Sequence, residues 1–188
     1  MNAQLYGSFK IVLMGDGGVG KTSLIKRYLK KGFSYDYKKT IGVDFYTTRE
    51  KIVIKNNLTA IIQWQVWDLG GQPKWHQVRS SFYSGAKGGL LIFDITRRST
   101  FENIPAWANE FIKNAPGVQP LVLVGNKIDL REKVREYVRK EEGEKMAKIL
   151  SESLGTEIPY VETSALTGTN VRDAFHLLFN LIVKKYFS

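Results

Sequence analysis

Eight consecutive residues, Gly15-Asp16-Gly17-Gly18-Val19-Gly20-Lys21-Thr22, constrain this chain more than any other segment, because they match the pattern G-x-x-x-x-G-K-[ST]. The apolar run before them predicts a strand over 9–14, and the run after them predicts a helix over 21–31. A glycine-rich turn in that context lets successive backbone N–H groups curl around an anion, and the helix N-terminus adds positive potential. Gly15, Gly17, Gly18, Val19 and Gly20, with Ser23 in the first helical turn, are therefore expected to cradle phosphate. Lys21 offers a mobile positive charge to β- and γ-phosphates. Thr22 offers a hydroxyl to Mg²⁺, a hard cation that prefers oxygen. On its own such a loop fits ATPases and small-molecule kinases as well as GTPases.

The rest of the chain alternates β-branched apolar runs with segments of helical period, the pattern of a mostly parallel sheet wrapped by helices. Strands are expected over 43–45 continuing through 52–54, and over 58–67, the two joined as a hairpin at Asn56-Asn57. Further strands are expected over 89–94, 121–125 and 159–162, with helices near 101–114, 138–153 and 171–186. In the last helix Val171, Ala174, Phe175, Leu178 and Ile182 recur at core spacing, with Asn170 and Asp173 placed like a capping pair. No repeat or linker interrupts 1–188, so one α/β domain is expected.

Composition removes several function classes. There is no cysteine, which excludes disulfide frameworks, thiolate zinc sites and a thiol nucleophile, and suits a reducing compartment. His76 and His176 stand alone without a second histidine at ligand spacing. No apolar run reaches the roughly 20 residues of a membrane span. The net charge of +10 comes from basic residues spread along the chain rather than clustered. The expectation is a solvated basic surface on a cytoplasmic, monomeric chain that sits at most peripherally at an anionic membrane, with no nucleic-acid partner.

Base choice is carried elsewhere. Asn126-Lys127-Ile128-Asp129 follows the strand over 121–125, at the carboxyl edge where open α/β sheets hold ligands. Guanine presents N1–H and its 2-amino group side by side, and one carboxylate, that of Asp129, accepts both. Thr163-Ser164-Ala165, after the next strand, can turn a backbone N–H towards guanine O6 and repel the amino group of adenine.

With these residues together the chain resembles the Ras superfamily of small GTPases, and most closely the Rab family. The resemblance rests on Gly15 to Thr22, Thr40-Ile41-Gly42-Val43-Asp44-Phe45, Trp67-Asp68, Gly71-Gln72, Ser80 to Ala86, Leu91 to Thr96, Asn126 to Asp129 and Glu162 to Ala165. It implies a P-loop NTPase G domain: a mostly parallel six-stranded sheet with one antiparallel edge strand and helices on both faces. It also implies that Thr40 coordinates Mg²⁺ and touches the γ-phosphate, that Asp68 holds Mg²⁺ through water, and that the Gly71 N–H contacts the γ-phosphate. Gln72 would orient the attacking water, while Phe33, Tyr37, Asn126, Lys127, Asp129, Ser164, Ala165 and Leu166 would line the nucleotide. GTP and GDP are then substrate and product, and loss of the γ-phosphate frees both flanking loops. Exchange factors, activating proteins and effectors would meet the chain from Thr40 to Phe45, at Trp67 and from Gly71 to Tyr83. Phe45, Trp67 and Phe82 resemble the aromatic triad that Rabs present to partners, and they fit core positions equally well, since aromatics on strands are often core.

Several residues depart from that pattern. Trp67-Asp68-Leu69-Gly70-Gly71-Gln72 is spelled more like the Arf and Arf-like group. Pro73 replaces the usual glutamate, fixes its own φ and biases Gln72 towards extended backbone. Leu166 stands where many relatives carry a lysine beside the base. The loop before Thr40 holds no arginine, so slow turnover is expected unless a partner supplies one. Without a cysteine, and with Asn2 rather than glycine at position 2, no lipid anchor is expected. The rival reading is a nucleotide-holding adaptor whose hydrolysis Pro73 has abolished.

Overall fold

A computed structural model describes residues 5–29, 42–53, 59–71 and 76–187. Strand β1 (Leu5–Met14) leads through the glycine-rich loop into helix α1 (Lys21–Tyr28). Strands β2 (Val43–Val53) and β3 (Thr59–Leu69) follow, and then helix α2 (His76–Tyr83) and strand β4 (Ala86–Asp94). Helices α3 (Arg98–Glu102) and α4 (Ile104–Asn114) precede strand β5 (Leu121–Asn126) and a 3₁₀ turn (Ile128–Lys133). Helix α5 (Lys140–Leu154), strand β6 (Tyr160–Thr163) and helix α6 (Val171–Phe187) complete the chain.

The sheet has six strands in the order β2-β3-β1-β4-β5-β6. β2 runs antiparallel to β3, and the other neighbours are parallel. Buried on both faces, the central strands are apolar at consecutive positions, as parallel sheets demand. Ile11 and Leu13 pack with Trp64, Val124, Phe175 and Phe179 under α1 and α6. Val12 and Met14 face the other way, against Phe93, Leu123, Phe101, Phe111 and Leu150 under α2 to α5. The expected architecture, helices on both faces of a mostly parallel sheet, is the observed one.

Local differences have local causes. The expected helix over 101–114 is two helices that break at Asn103, because Pro105 in the first turn of α4 has no N–H to continue the ladder. α2 was not anticipated: its eight residues are fewer than the span over which a helical period is read, and no capping residue precedes them in the sequence. Asn170 does not act in the expected capping pair: it has a left-handed φ of 54° and its carboxamide donates to Glu162 O at 2.8 Å, tying α6 to β6. The hairpin tip at Asn56-Asn57 lies outside the described residues.

Gly143 in α5 packs on the ring of Tyr160, so a Cβ there would meet Tyr160 Cζ at 2.2 Å. On an open helix face Gly→Ala stabilises by about 0.5–1 kcal/mol, but overpacking a ring against a helix costs roughly 1–3 kcal/mol. Gly143→Ala is therefore expected to lower the urea midpoint; an unchanged or raised midpoint would show that Tyr160 yields freely.

Candidate functional site

The loop after β1 closes on α1 without a side-chain cap and without an acidic residue in the first turn. Its open N–H groups and positive end are left for an anion. Lys21 is buried and folds back over the loop, with Nζ donating to Gly15 O at 2.7 Å and Asp16 O at 2.9 Å. Burial lowers its pKa to about 8 against the opposing pull of Asp68. A buried ammonium held only by carbonyls is a charge in want of an anionic partner.

Asp68 sits at the end of β3, beside β1 in the register Leu13↔Asp68. Thr22 Oγ1 donates to its Oδ2 in a short hydrogen bond, while Oδ1 is buried with no partner. Burial pushes this carboxyl up to about 6, although Lys21 and Thr22 pull it down. An orphaned carboxylate oxygen next to a hydroxyl is a hard-oxygen donor pair, and it fits Mg²⁺.

Gly71 lies directly on the phosphate loop. A Cβ there would stand 2.4 Å from Asp16 C and 2.5 Å from both Gly15 O and Gly17 N, so only glycine brings this backbone so close. Next to it, Gly70 N donates to Gly42 O at 2.9 Å, joining the segment after β3 to the start of β2.

At the base end, Asn126 is buried and bridges three loops. Its Nδ2 donates to Val19 O at 2.8 Å, and its Oδ1 accepts from Ala165 N at 3.2 Å and Thr163 Oγ1 at 3.1 Å. Lys127 takes a left-handed φ of 72° and pairs with Asp94 at 2.7 Å. Asp129 is half-buried, and Ser164 Oγ donates to its Oδ1. Leu166 is half-buried beside them.

Gly15, Gly17, Gly18, Val19, Gly20, Lys21, Thr22, Ser23, Asp68, Gly71, Asn126, Lys127, Asp129, Ser164, Ala165 and Leu166 thus gather at the carboxyl ends of β1, β3, β5 and β6. Phe33, Tyr37, Thr40, Gln72 and Pro73 lie outside the described residues. Three supporting residues escaped the sequence reading. Asp94 receives Thr96 N at 2.9 Å and Arg97 Nε at 3.1 Å besides Lys127. Burial raises its pKa, but the bonds from Lys127 and Thr96 outweigh that and leave it lowered. Arg97 Nη2 reaches Gly17 O at 2.9 Å, and Arg27 of α1 donates to Ala165 O and Leu166 O. The one available signal was a strand-terminal acid in an apolar run, Phe93-Asp94-Ile95; the arginine contacts span the chain and leave no periodic trace.

An uncapped glycine-rich loop, a half-buried carboxylate and a hydroxyl–carboxylate oxygen pair, gathered at one sheet edge, fit a guanine-nucleotide site on a G-domain sheet. A model of the Ras family matches residues 10–184. Among curated relatives, the Ras-related protein RABA1b of Arabidopsis thaliana is 42% identical over 167 residues, covering 89% of this chain and 71% of that protein. RABA6a of the same plant is 45% identical over 174 residues, covering 93% and 69%. The Ypt/Rab-type GTPase YPT7 of Saccharomyces cerevisiae is 40% identical over 179 residues, covering 93% and 81%. This chain belongs to the Ras family and is Rab-like: it is a small GTPase that binds GTP and GDP with Mg²⁺, hydrolyses GTP and acts as a switch.

The raised pKa of Asp68 fixes the sign of a pH effect. The folded chain holds this proton more tightly than the unfolded one, so the contribution is complete below 3.8 and is lost as pH rises to about 6. Relative to Asp68→Asn, the nucleotide-free, chelator-treated chain should lose stability by on the order of 2–3 kcal/mol across that window. Parallel denaturation curves for the two proteins at each pH would contradict this.

Proposed function

We propose that the residues named above divide the hydrolysis of GTP among themselves as follows. The N–H groups of Gly15 to Gly20 and the Lys21 ammonium hold the β- and γ-phosphates, and Asp129 accepts guanine N1–H and the 2-amino group. Thr22, Thr40 and Asp68 hold Mg²⁺, which when bound neutralises charge on the phosphate oxygens. The Gly71 N–H binds the γ-phosphate, and Gln72 orients a water in line with the bond that breaks. Catalysis is then positioning and charge stabilisation, with no covalent intermediate on the protein.

The packing of Gly71 against Asp16 and Gly17 carries the switch reading. A backbone pressed on the phosphate loop, one residue after a Gly70 bond to Gly42, links both flanking segments to the same phosphate. GTP adds a further tie between them, which GDP lacks.

Residues 1–188 act in this reading as a single, monomeric G domain. Phe45, more than half exposed, stands edge-on to Trp67 at 5.3 Å, and Trp67 meets Phe82 at 5.8 Å. That row adjoins both switch segments and is the surface offered to exchange factors, activating proteins and effectors, from Thr40 to Phe45, at Trp67 and from Gly71 to Tyr83. A Rab-like switch of this kind works in membrane trafficking, on the cytoplasmic side and peripherally at an anionic surface. No helix among the described residues is long and apolar enough to cross a membrane, and the net charge of +10 suits such a surface.

Two substitutions test the roles. Asp129→Asn replaces an acceptor opposite guanine N1–H with a donor, so competition binding should move the preference towards xanthosine nucleotides by roughly 100-fold. Gln72→Leu should slow single-turnover GTP hydrolysis at least ~10-fold while GTP affinity stays within about threefold. An unchanged base preference would remove Asp129 from the site. An unchanged rate would mean that Pro73 already holds Gln72 away from the water.

A further inference from the structure

Arg79 of α2 and Trp107 of α4 join the segment that carries Gly71 to the phosphate loop by a route that does not pass through the nucleotide. Arg79 is buried and grips Glu110 of α4 with both ends of its guanidinium, Nε to Oε1 at 2.9 Å and Nη2 to Oε2 at 3.0 Å. Tyr83 Oη adds a third donor to Glu110 Oε1 at 2.8 Å. Arg79 Nη1 points to Gly70 O at 3.4 Å, a long contact to the residue before Gly71. The guanidinium also lies 4.2 Å over the ring of Trp107. The other end of that indole is fixed as well: Nε1 donates to Asp16 Oδ1 at 2.8 Å, and Asn103 Nδ2 donates to Asp16 Oδ2 at 2.8 Å. Asp16 is the loop residue on which Gly71 packs, so the path closes on itself.

Packing alone does not require this arrangement. A buried ion pair is on average no more stabilising than apolar side chains of the same size, whereas a forked arginine–carboxylate contact fixes direction. We propose that Arg79 is a positioning residue for the γ-phosphate contact: with Glu110 and Trp107 it holds the Gly70–Gly71 backbone and the phosphate loop in one register, so that the Gly71 N–H is aimed before GTP arrives. The proposal rests on the reading of Gly71 given above. Its distinctive consequence is selectivity, because GDP has no γ-phosphate for Gly71 to contact.

The test compares the release of fluorescent GTP-analogue and GDP-analogue nucleotides from the full chain with Mg²⁺ present. Arg79→Met/Glu110→Gln removes both charges together, leaves no carboxylate stranded and keeps much of the volume. It should release the GTP analogue about tenfold faster and GDP within about twofold of the parent. Trp107→Phe keeps a ring under the guanidinium but deletes the donor to Asp16, and it should act in the same direction by roughly threefold. Combined with the charge-removing pair it should add less than its separate effect, since the two share one path. Equal acceleration of both nucleotides, no acceleration, or full additivity would each overturn the proposal. Gly71→Ala separates the two ideas. If it leaves the GTP-to-GDP ratio unchanged, the reading of Gly71 fails; if it shifts the ratio while the Arg79 and Trp107 variants do not, the positioning role alone fails.

Discussion

One buried carboxamide holds the nucleotide site together. Asn126, at the end of β5, donates to Val19 in the phosphate loop and accepts from Thr163 and Ala165 where β6 passes into the base loop, so one side chain joins three segments far apart in the chain, its own included. An amide is suited to this because it is donor and acceptor at once without a charge to desolvate. Every partner lies at the carboxyl edge of the sheet, where parallel strands deliver their loops. Arg27 from α1 and the Asp94–Lys127 pair then brace the same loops from outside.

Around that junction the site stores unmet electrostatic demand. Lys21 and Asp68 are both buried, and burial pushes each towards its neutral form. Neither satisfies the other fully, since Lys21 bonds to carbonyls and one oxygen of Asp68 has no partner. Under the proposed roles, a triphosphate with Mg²⁺ would answer both demands together and so couple binding to the stability of the fold. Under the same roles the γ-phosphate end reaches outward instead: Gly71 packs on the phosphate loop and Gly70 is bonded to Gly42. In that reading, tight tethering at the base and conditional tethering at the γ-phosphate is the asymmetry that lets one ligand be held while its loss of a phosphate is signalled.

Much of this is legible in the sequence. The phosphate loop, the Asn126-Lys127-Ile128-Asp129 segment and the Ser164-Ala165 loop are short contiguous patterns whose chemistry dictates their composition. The sheet was legible because its strands are buried on both faces and read as apolar runs. Boundaries were less so: β1 begins at Leu5, well before its apolar run, and one expected helix is broken by Pro105. The braces were illegible for a different reason. Arg27, Arg79 and Arg97 reach carbonyls or carboxylates on other elements, and nothing in an arginine's neighbours in sequence says which oxygen it will meet. Asn170 shows the same limit, since its capping geometry was available in sequence but Glu162 O was the acceptor the fold brought within reach.

The central claim, that one amide makes three loops a single site, is tested most directly by the rate of GDP release from Asn126→Asp. That change places an acceptor opposite Val19 O and a charge in a buried position, while leaving the volume almost untouched. If Asn126 joins the loops, release should accelerate by on the order of 100-fold or more, equivalent to about 3 kcal/mol, with the base and phosphate contacts failing together. Release within about twofold of the parent would show that the loops hold the nucleotide independently and would contradict the account.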